Sequence, residues 1–283
     1  MGLEGDCMVG ENEISKPQDV TEFLSWAKKH IGVEFSKSTE LLYKMNSANI
    51  KSTAEENDFF KKIHSIIRAE EEKFFLEYKS QLMMNDEETR FYVKPYASLL
   101  NKIFRLNVNW NKNFPHPPQK GWITPQNMYE IVDDMVRGKL VCKYADGPHI
   151  LANILCENSN KCGVEGQYSD RSLDSGYYSV HCYFYIPVEI VLDVTSPEHV
   201  KRNVRIELQI TSQLQDILYN ITHQFYVKNR TKTSRSGSSW KWKFETNEFK
   251  AGFLGHALHL FEGIIVELRN DSISEDTVSE SEE

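Results

Sequence analysis

The sequence predicts an α/β (α+β) protein: a β-sheet flanked by helices, with helical extensions at the N- and C-terminal ends. Three observations lead there. From Gly176 to Thr211 two stretches alternate apolar and polar residues with a period of two, the signature of half-buried strands. On either side, over 54–82 and 246–268, apolar residues recur at helical spacing. The 283 residues are 40% hydrophobic and 12% aromatic, enough for a substantial core.

In chain order, residues 1–16 are polar and expected to form a flexible N-terminus. Pro17 to His30 predicts a helix with Val20, Phe23, Leu24 and Ala27 on one side, and Pro17 suits a first turn. Ser38 to Met45 predicts a short helix, and Ala54 to Leu82 a long one buried along Phe59, Ile63, Ile66, Ile67, Phe74, Tyr78 and Leu82. Residues 17–86 therefore read as a helical extension packed on the sheet, without chemistry of their own. Arg90 to Lys94 predicts a short strand, then Tyr96 to Phe104 a helix. Lys94, Ser98 and Lys102 fall at i, i+4 and i+8, one ridge of a helix. Two ammonium groups and a hydroxyl on one ridge can hold a polyphosphate, although a solvated face has the same pattern. Residues 107–125, with Pro115, Pro117, Pro118 and Pro125, predict a long irregular loop.

Thr124 and Pro125 open a predicted helix to about Met135, which ends in Asp133 and Asp134 and turns through Gly138 into a strand. Carboxylates at such a junction are where a magnesium ion bridging phosphates would sit, and they are also ordinary loop residues. Asp146 to Cys156 reads as a helix and Glu157 to Ser175 as a polar loop. In the two alternating strands, Tyr178, Val180, Cys182, Phe184 and Ile186 share a face, as do Val204, Ile206, Leu208 and Ile210. The opposite faces carry Tyr177, Ser179, His181 and Tyr183, and Arg205, Glu207, Gln209 and Thr211. Ser212 to Asn229 predicts a helix buried along Leu214, Ile217, Leu218, Ile221 and Phe225. Its second stripe is Asp216, Tyr219, His223 and Tyr226. Residues 228–243 interleave Lys228, Arg230, Lys232, Arg235, Lys241 and Lys243 with Trp240 and Trp242, a pattern that suits a nucleic-acid backbone or a free basic loop. Thr246 to about Leu268 predicts a final helix burying Phe249, Phe253, Ala257, Leu260, Phe261, Ile264 and Leu268. Residues 271–283 read as a disordered acidic tail.

A net charge of −8 argues against a general nucleic-acid coat. Five cysteines without a Cys-x-x-Cys pair fit reduced thiols in a cytoplasmic protein better than a disulfide framework. No signal segment and no apolar run of membrane-spanning length stand out, so no membrane partner is expected.

Five segments occur in a telling order: Tyr92-x-Lys94-x-x-x-Ser98, Asp134-x-x-Arg137-x-Lys139, Gly176-Tyr177-Tyr178-Ser179-Val180-His181, Glu207-x-Gln209-Ile210-Thr211, and a helix with His223 and Tyr226. Over about 90–230 this resembles the synthetase domain of RelA/SpoT-type alarmone synthetases. That family carries Arg-x-Lys-x-x-x-Ser, Asp-x-x-Gly-x-Arg, Gly-Tyr-Arg-Ser-x-His and Glu-x-Gln-Ile-Arg-Thr. The resemblance implies a mixed sheet of about five strands, nucleotidyltransferase-like, with the synthetase core at 87–230, and residues 231–270 follow it as the basic loop and C-terminal helix read from the pattern above. It implies transfer of pyrophosphate from ATP to the 3′-hydroxyl of GDP or GTP, with Mg²⁺ as cofactor. By resemblance Asp134 looks like a magnesium ligand. Glu207 looks like the group that activates the acceptor hydroxyl and also touches magnesium. Lys94, Ser98, Lys102 and Lys139 look like phosphate contacts, and Tyr177 like a base-stacking ring. His181 and Gln209 lie in the acceptor pocket, with His223 closing the cleft. Here Tyr92, Lys139, Tyr178 and Thr211 stand where the family has arginine, and Arg137 where it has glycine. Two alternatives remain: the same chemistry on the 3′ end of tRNA, held through 228–243, or a degenerate nucleotide-binding module. A homo-oligomer is left open. The family's hydrolase domain needs a His-Asp pair, and none occurs in the chain.

Overall fold

The alternating strands pair with each other and form the middle of a mixed sheet. In the computed structural model, residues 15–85, 89–174, 176–195, 198–230 and 238–280 are described, with side chains except at 223–230, 238–239 and 274–280. The strands are β1 (Tyr92–Val93), β2 (Val136–Cys142), β3 (Glu165–Ser172), β4 (Tyr178–Val191) and β5 (His199–Ser212). Their order is β1-β2-β5-β4-β3. All neighbours are antiparallel except β2 and β5, which run parallel. The helices are α1 (Val20–His30), α2 (Lys37–Glu56), α3 (Asp58–Tyr78), α4 (Tyr96–Phe104), α5 (Met128–Ile131), α6 (Gly147–Lys161), α7 (Gln213–Arg230) and α8 (Asn247–Glu280).

One face of the sheet is the predicted apolar one. Val180, Cys182, Phe184, Ile186, Val204, Ile206, Leu208 and Ile210 are all buried there, beside Val136 and Leu140 of β2. Helices α2, α3 and α6 cover it, with Phe59 of α3 4.8 Å from Phe184. The N-terminal helices thus share one hydrophobic core with the sheet.

Several elements differ from their sequence expectations. The predicted short helix at 38–45 is the 20-residue α2, opened by a Ser36–Thr39 capping box. Its buried side includes Thr39, Asn46 and Ser47, which an apolar pattern does not count. Asn46 uses its polarity: its amide donates to the Val191 carbonyl at 2.7 Å and accepts from the Val191 N–H at 3.0 Å, locking α2 to β4. Asn57 ends α2 and caps α3 through the Phe59 N–H at 2.9 Å, so the long helix expected from Ala54 begins only at Asp58. The helix expected over 124–135 shrinks to the single turn α5. Gly138 lies within β2 rather than at a turn, and a Cβ there would meet Leu208 Cδ2 at 2.6 Å, which accounts for a glycine inside the strand. The loop expected over 157–175 is the end of α6 followed by edge strand β3. Nearly every β3 side chain is at least partly exposed, so it carries no alternation to read.

Helix α8 reverses its expected orientation. Among the residues expected inside, Phe253, Leu260, Phe261, Ile264 and Leu268 are exposed. The packed side is instead Ala251, Gly252, Gly255, His259, Glu262 and Arg269. Gly255 and Gly252 meet Gly176 backbone to backbone: a Cβ on Gly255 would lie 2.3 Å from the Gly176 carbonyl oxygen. Gly176 itself has φ +75°, the left-handed region that favours glycine. Glu262, buried, accepts from Ser212 Oγ and from Gln215 Nε2. Arg269 pairs with Asp146 at 2.6 Å and lies over the rings of Phe74, Tyr78 and Tyr144. On α7, Gln215 and Thr222 are buried while the expected core residues Ile217 and Ile221 are exposed. The stretch Asn247–Ile273 is long and apolar enough to cross a membrane, contrary to the expectation that no such run exists. The acidic segment expected to be a disordered tail continues α8 to Glu280. The expectations for residues 1–14, 231–237 and 281–283 lie outside the described residues.

Candidate active site

The other face of the sheet is polar, and β-strand register builds it in rows. β2 and β5 pair in parallel with Arg137 opposite Glu207 and Lys139 opposite Gln209. Across the antiparallel β4–β5 pair, His181 lies opposite Gln209 and Tyr183 opposite Glu207. β3 adds Arg171 opposite Ser179 and Ser169 opposite His181. Because strand side chains alternate, these residues share one face, the reverse of the core face.

Glu207 is at its centre, only 3% exposed. Its Oε1 is 3.0 Å from His181 Nδ1 and accepts from Gln209 Nε2 at 2.6 Å. Burial alone would raise the Glu207 pKa. The hydrogen bonds and charge of His181, with the Gln209 amide, outweigh burial and leave it below the usual carboxylate range. His181 Nε2 is buried with no hydrogen-bond partner among the described residues. A buried ring nitrogen without a partner is costly, and a bound ligand would satisfy it.

Asp134 forms the second acidic point, in the turn before β2. Lys94 Nζ reaches its Oδ2 at 2.7 Å and Lys102 Nζ its Oδ1 at 2.8 Å. Lys94 follows β1, and its N–H donates to the Met135 carbonyl at 2.8 Å; its own carbonyl accepts from Tyr43 Oη at 2.6 Å. Lys102 comes from the last turn of α4. The two lysines therefore do not lie along one helix, since Lys94 precedes α4, yet they converge on one carboxylate. Burial would raise the Asp134 pKa, but the two ammonium groups hold it well below the usual carboxylate range. Ser98 is exposed on α4, and the structure does not join it to this cluster.

The rim comes from β4 and α7. Tyr177 packs at 5.5 Å on Tyr219 of α7 and at 6.5 Å, edge to face, on His181. Lys139 pairs with Asp216 of α7, and its ammonium lies 5.6 Å from the Tyr219 ring centre. The stripe of Asp216 and Tyr219 thus faces the site, as its spacing suggested. His223 lies on α7, and its side chain is outside the described residues. Asp216 as the partner of Lys139 was missed in the sequence, because nothing local links residues so far apart in the chain.

Arg137, Arg171 and Arg205 accompany the acidic centre. Arg171 Nη2 donates to Tyr183 Oη at 2.5 Å, and Arg205 lies over the rings of Tyr183 and Tyr185 while pairing with Asp133. Arg202 pairs with Glu130 instead. Tyr178 points the other way: its ring stacks on His259 of α8 at 3.7 Å and its hydroxyl lies 2.8 Å from His256 Nδ1.

Chemically, the site offers two ionised carboxylates among lysines and arginines, with aromatic walls. Among the described residues no three His, Cys, Asp or Glu side chains cluster as a metal set. Mg²⁺ commonly takes one or two carboxylates plus substrate phosphates, and Asp134 with Glu207 fits that donor set.

No protein-family model and no curated protein matches the sequence. Among solved structures, the chain is similar to the small alarmone synthetase 1 of Bacillus subtilis bound to its product pppGpp. The two are 17% identical with a TM-score of 0.46, over 82% of this chain and 95% of that one. A GTP pyrophosphokinase family protein from Streptococcus pneumoniae is 16% identical with a TM-score of 0.46, over 82% and 92% of the two chains. The protein smu.1046c from Streptococcus mutans UA159 is 13% identical with a TM-score of 0.46, over 77% and 94%.

Proposed function

We propose that this chain is a cytoplasmic nucleotide pyrophosphokinase that transfers pyrophosphate from ATP to the 3′-hydroxyl of GDP or GTP. The observation that supports this reading best is the buried Glu207, oriented by His181 and Gln209. It sits on a face shared with Arg137 and Lys139, near enough to the lysine-clamped Asp134 for that charge to oppose its ionisation. The ordered motifs of the sequence support the same chemistry.

Lys94 and Lys102 exchange Asp134 for the ATP polyphosphate, with Lys139 completing the phosphate contacts. Asp134 and Glu207 would hold a Mg²⁺ ion, which when bound supplies charge neutralisation at the phosphates. Tyr177 stacks on the acceptor base and orients its ribose, and His223 closes the cleft. His181 holds Glu207 through Nδ1 and turns Nε2 toward the acceptor. Glu207, ionised at neutral pH, takes the proton of the 3′-hydroxyl as its oxygen bonds to the β-phosphorus. The bond from that phosphorus to the α,β-bridging oxygen breaks, and AMP leaves. A positioned general base of this kind contributes about 10²–10⁴-fold.

The test uses ATP labelled at the γ-phosphate with magnesium and, separately, GDP, GTP and bulk tRNA. The expected result is label on GDP or GTP, lost in Glu207→Gln. Label on tRNA alone would move the acceptor to the 3′ end of tRNA and give residues 228–243 their role. No transfer to any acceptor by folded protein refutes the enzyme reading and leaves a nucleotide-binding module.

A further inference from the structure

One cation beside the acidic centre is left without a counter-charge. Lys94 and Lys102 bind Asp134, Lys139 pairs with Asp216, and Arg205 pairs with Asp133. Arg171 donates to the Tyr183 hydroxyl. Among the described residues, the Arg137 guanidinium makes no hydrogen bond, no ion pair and no stack on a ring, and the residue is only half-buried. The sheet register accounts for this. Arg137 lies opposite Glu207 across the parallel β2–β5 pair, a strand spacing of about 4.8 Å. Glu207 could neutralise it, but Oε1 of that carboxylate is held by His181 and Gln209. On the other side β1 offers Tyr92, exposed and uncharged. The next β2 residue on this face is Lys139, of like charge. Burial, and after it the Arg137 charge, push the Lys139 ammonium below its ordinary pKa. At Lys94, where burial is again the largest cause, Arg137 adds to the lowering. A guanidinium that repels its cationic neighbours and lacks a counterion is set for an incoming anion.

We propose that Arg137 is a further catalytic residue, whose guanidinium takes the non-bridging oxygens of the pyrophosphoryl group as it passes from the donor to the acceptor. This role rests on the pyrophosphokinase reading of the site. It is particular to this chain, since the resembled motif has glycine at the position of Arg137. The chemistry sets the place. Glu207 takes the proton of the 3′-hydroxyl, so the attacked β-phosphorus comes within bonding distance of an oxygen held at Glu207. Arg137 is the cation one strand away from that point, on the side of Lys139 and Lys94. As the new bond to the β-phosphorus forms and the bond to the α,β-bridging oxygen breaks, charge spreads over the oxygens around phosphorus. A guanidinium meets two such oxygens with two parallel N–H groups, a geometry that a lysine ammonium does not offer.

The experiment applies two readouts to the full chain and its variants Arg137→Ala and Arg137→Lys. One is binding of inorganic tripolyphosphate by calorimetry, without magnesium. The other is steady-state transfer of label from ATP to GDP, with urea midpoints as the fold control. Both variants are expected to keep the wild-type midpoint, because no carboxylate depends on Arg137, whereas Arg205→Ala strands Asp133 and lowers it. Tripolyphosphate affinity is expected to fall about tenfold in Arg137→Ala. The kcat for transfer falls about 10²–10³-fold, the loss typical of one preorganised donor, and Arg137→Lys recovers only part of it. Unchanged tripolyphosphate affinity and unchanged kcat in Arg137→Ala overturn the proposal and leave the pyrophosphokinase reading standing. A wild type that transfers no label, yet binds tripolyphosphate through Arg137, refutes that reading and keeps Arg137 as an anion contact. A loss confined to the KM of GDP places Arg137 on the acceptor's diphosphate and overturns its role on the transferred group. A lower urea midpoint in both variants overturns the premise that the guanidinium is uncommitted.

Discussion

Asp134 shows how a single side chain concentrates opposing demands. It is mostly buried, and each of its oxygens receives an ammonium group. Asp134→Asn would leave Lys94 and Lys102 facing each other without the intervening charge. Removing one member of a buried ionic cluster costs about 3 kcal/mol, so a lower urea midpoint is expected for Asp134→Asn. An unchanged midpoint would show that the lysines swing freely to solvent. Tyr178 makes a different point. At the position where the resembled motif has arginine, this chain places a ring that stacks on His259 and bonds His256. That departure serves the docking of α8, and the polar face draws Arg137, Arg171 and Arg205 from other strands. Strand alternation was enough to group Glu207, Gln209, His181 and Tyr183 on one face. The convergence of Lys94 and Lys102 on Asp134, by contrast, depends on where β1 and α4 are packed, which no local pattern carries.

At the scale of elements, α8 is held by backbone contact and polar side chains rather than by its apolar stripe. Gly255→Ala would drive a Cβ to 2.3 Å from the Gly176 carbonyl oxygen, backbone that cannot step aside. The expected cost is about 1–3 kcal/mol, as for other overpacked contacts. Gly263, on the same helix, has nothing within 4 Å of an added Cβ, and Gly263→Ala is expected to stabilise by about 1 kcal/mol through helix propensity. Urea titrations of the two variants should move in opposite directions; movement in the same direction would refute the docking geometry. The elements best read from sequence were those whose periodicity coincides with burial. The helix Tyr96–Phe104 and the pair β4–β5 are of this kind. Edge strand β3 was unreadable because it buries almost nothing, and α2 was cut short because Asn46 and Ser47 are buried polar residues. The apolar stripe of α8 was read correctly as a stripe, and its burial was then assumed.

Over the whole molecule, two carboxylates with depressed pKa values set the response to acid. Glu207 and Asp134 both lie below their ordinary values in the folded state. Their contribution is complete above the unfolded carboxylate pKa of about 4 and is lost as pH falls through the lower folded values. Unfolding free energy measured in urea is therefore expected to hold steady from neutral pH to about 5 and to fall below about 4. Asp134→Asn should show a shallower fall in that acid range, and an equal slope would refute the assignment. The strand order has a further consequence, for synthesis. β5 is the last strand made and takes the central place between β2 and β4. A nascent chain that has emerged only through β4 therefore holds two separate ribbons, β1–β2 and β3–β4, with an open seam between them. Glu207 enters only when β5 fills that seam, closing contacts between distant parts of the chain in one late step. Ribosomal stalling or proteolytic loss before residue 199 yields a chain that has neither a continuous sheet nor an acidic centre. Unfinished copies therefore lack Glu207 and the strand that joins the two ribbons.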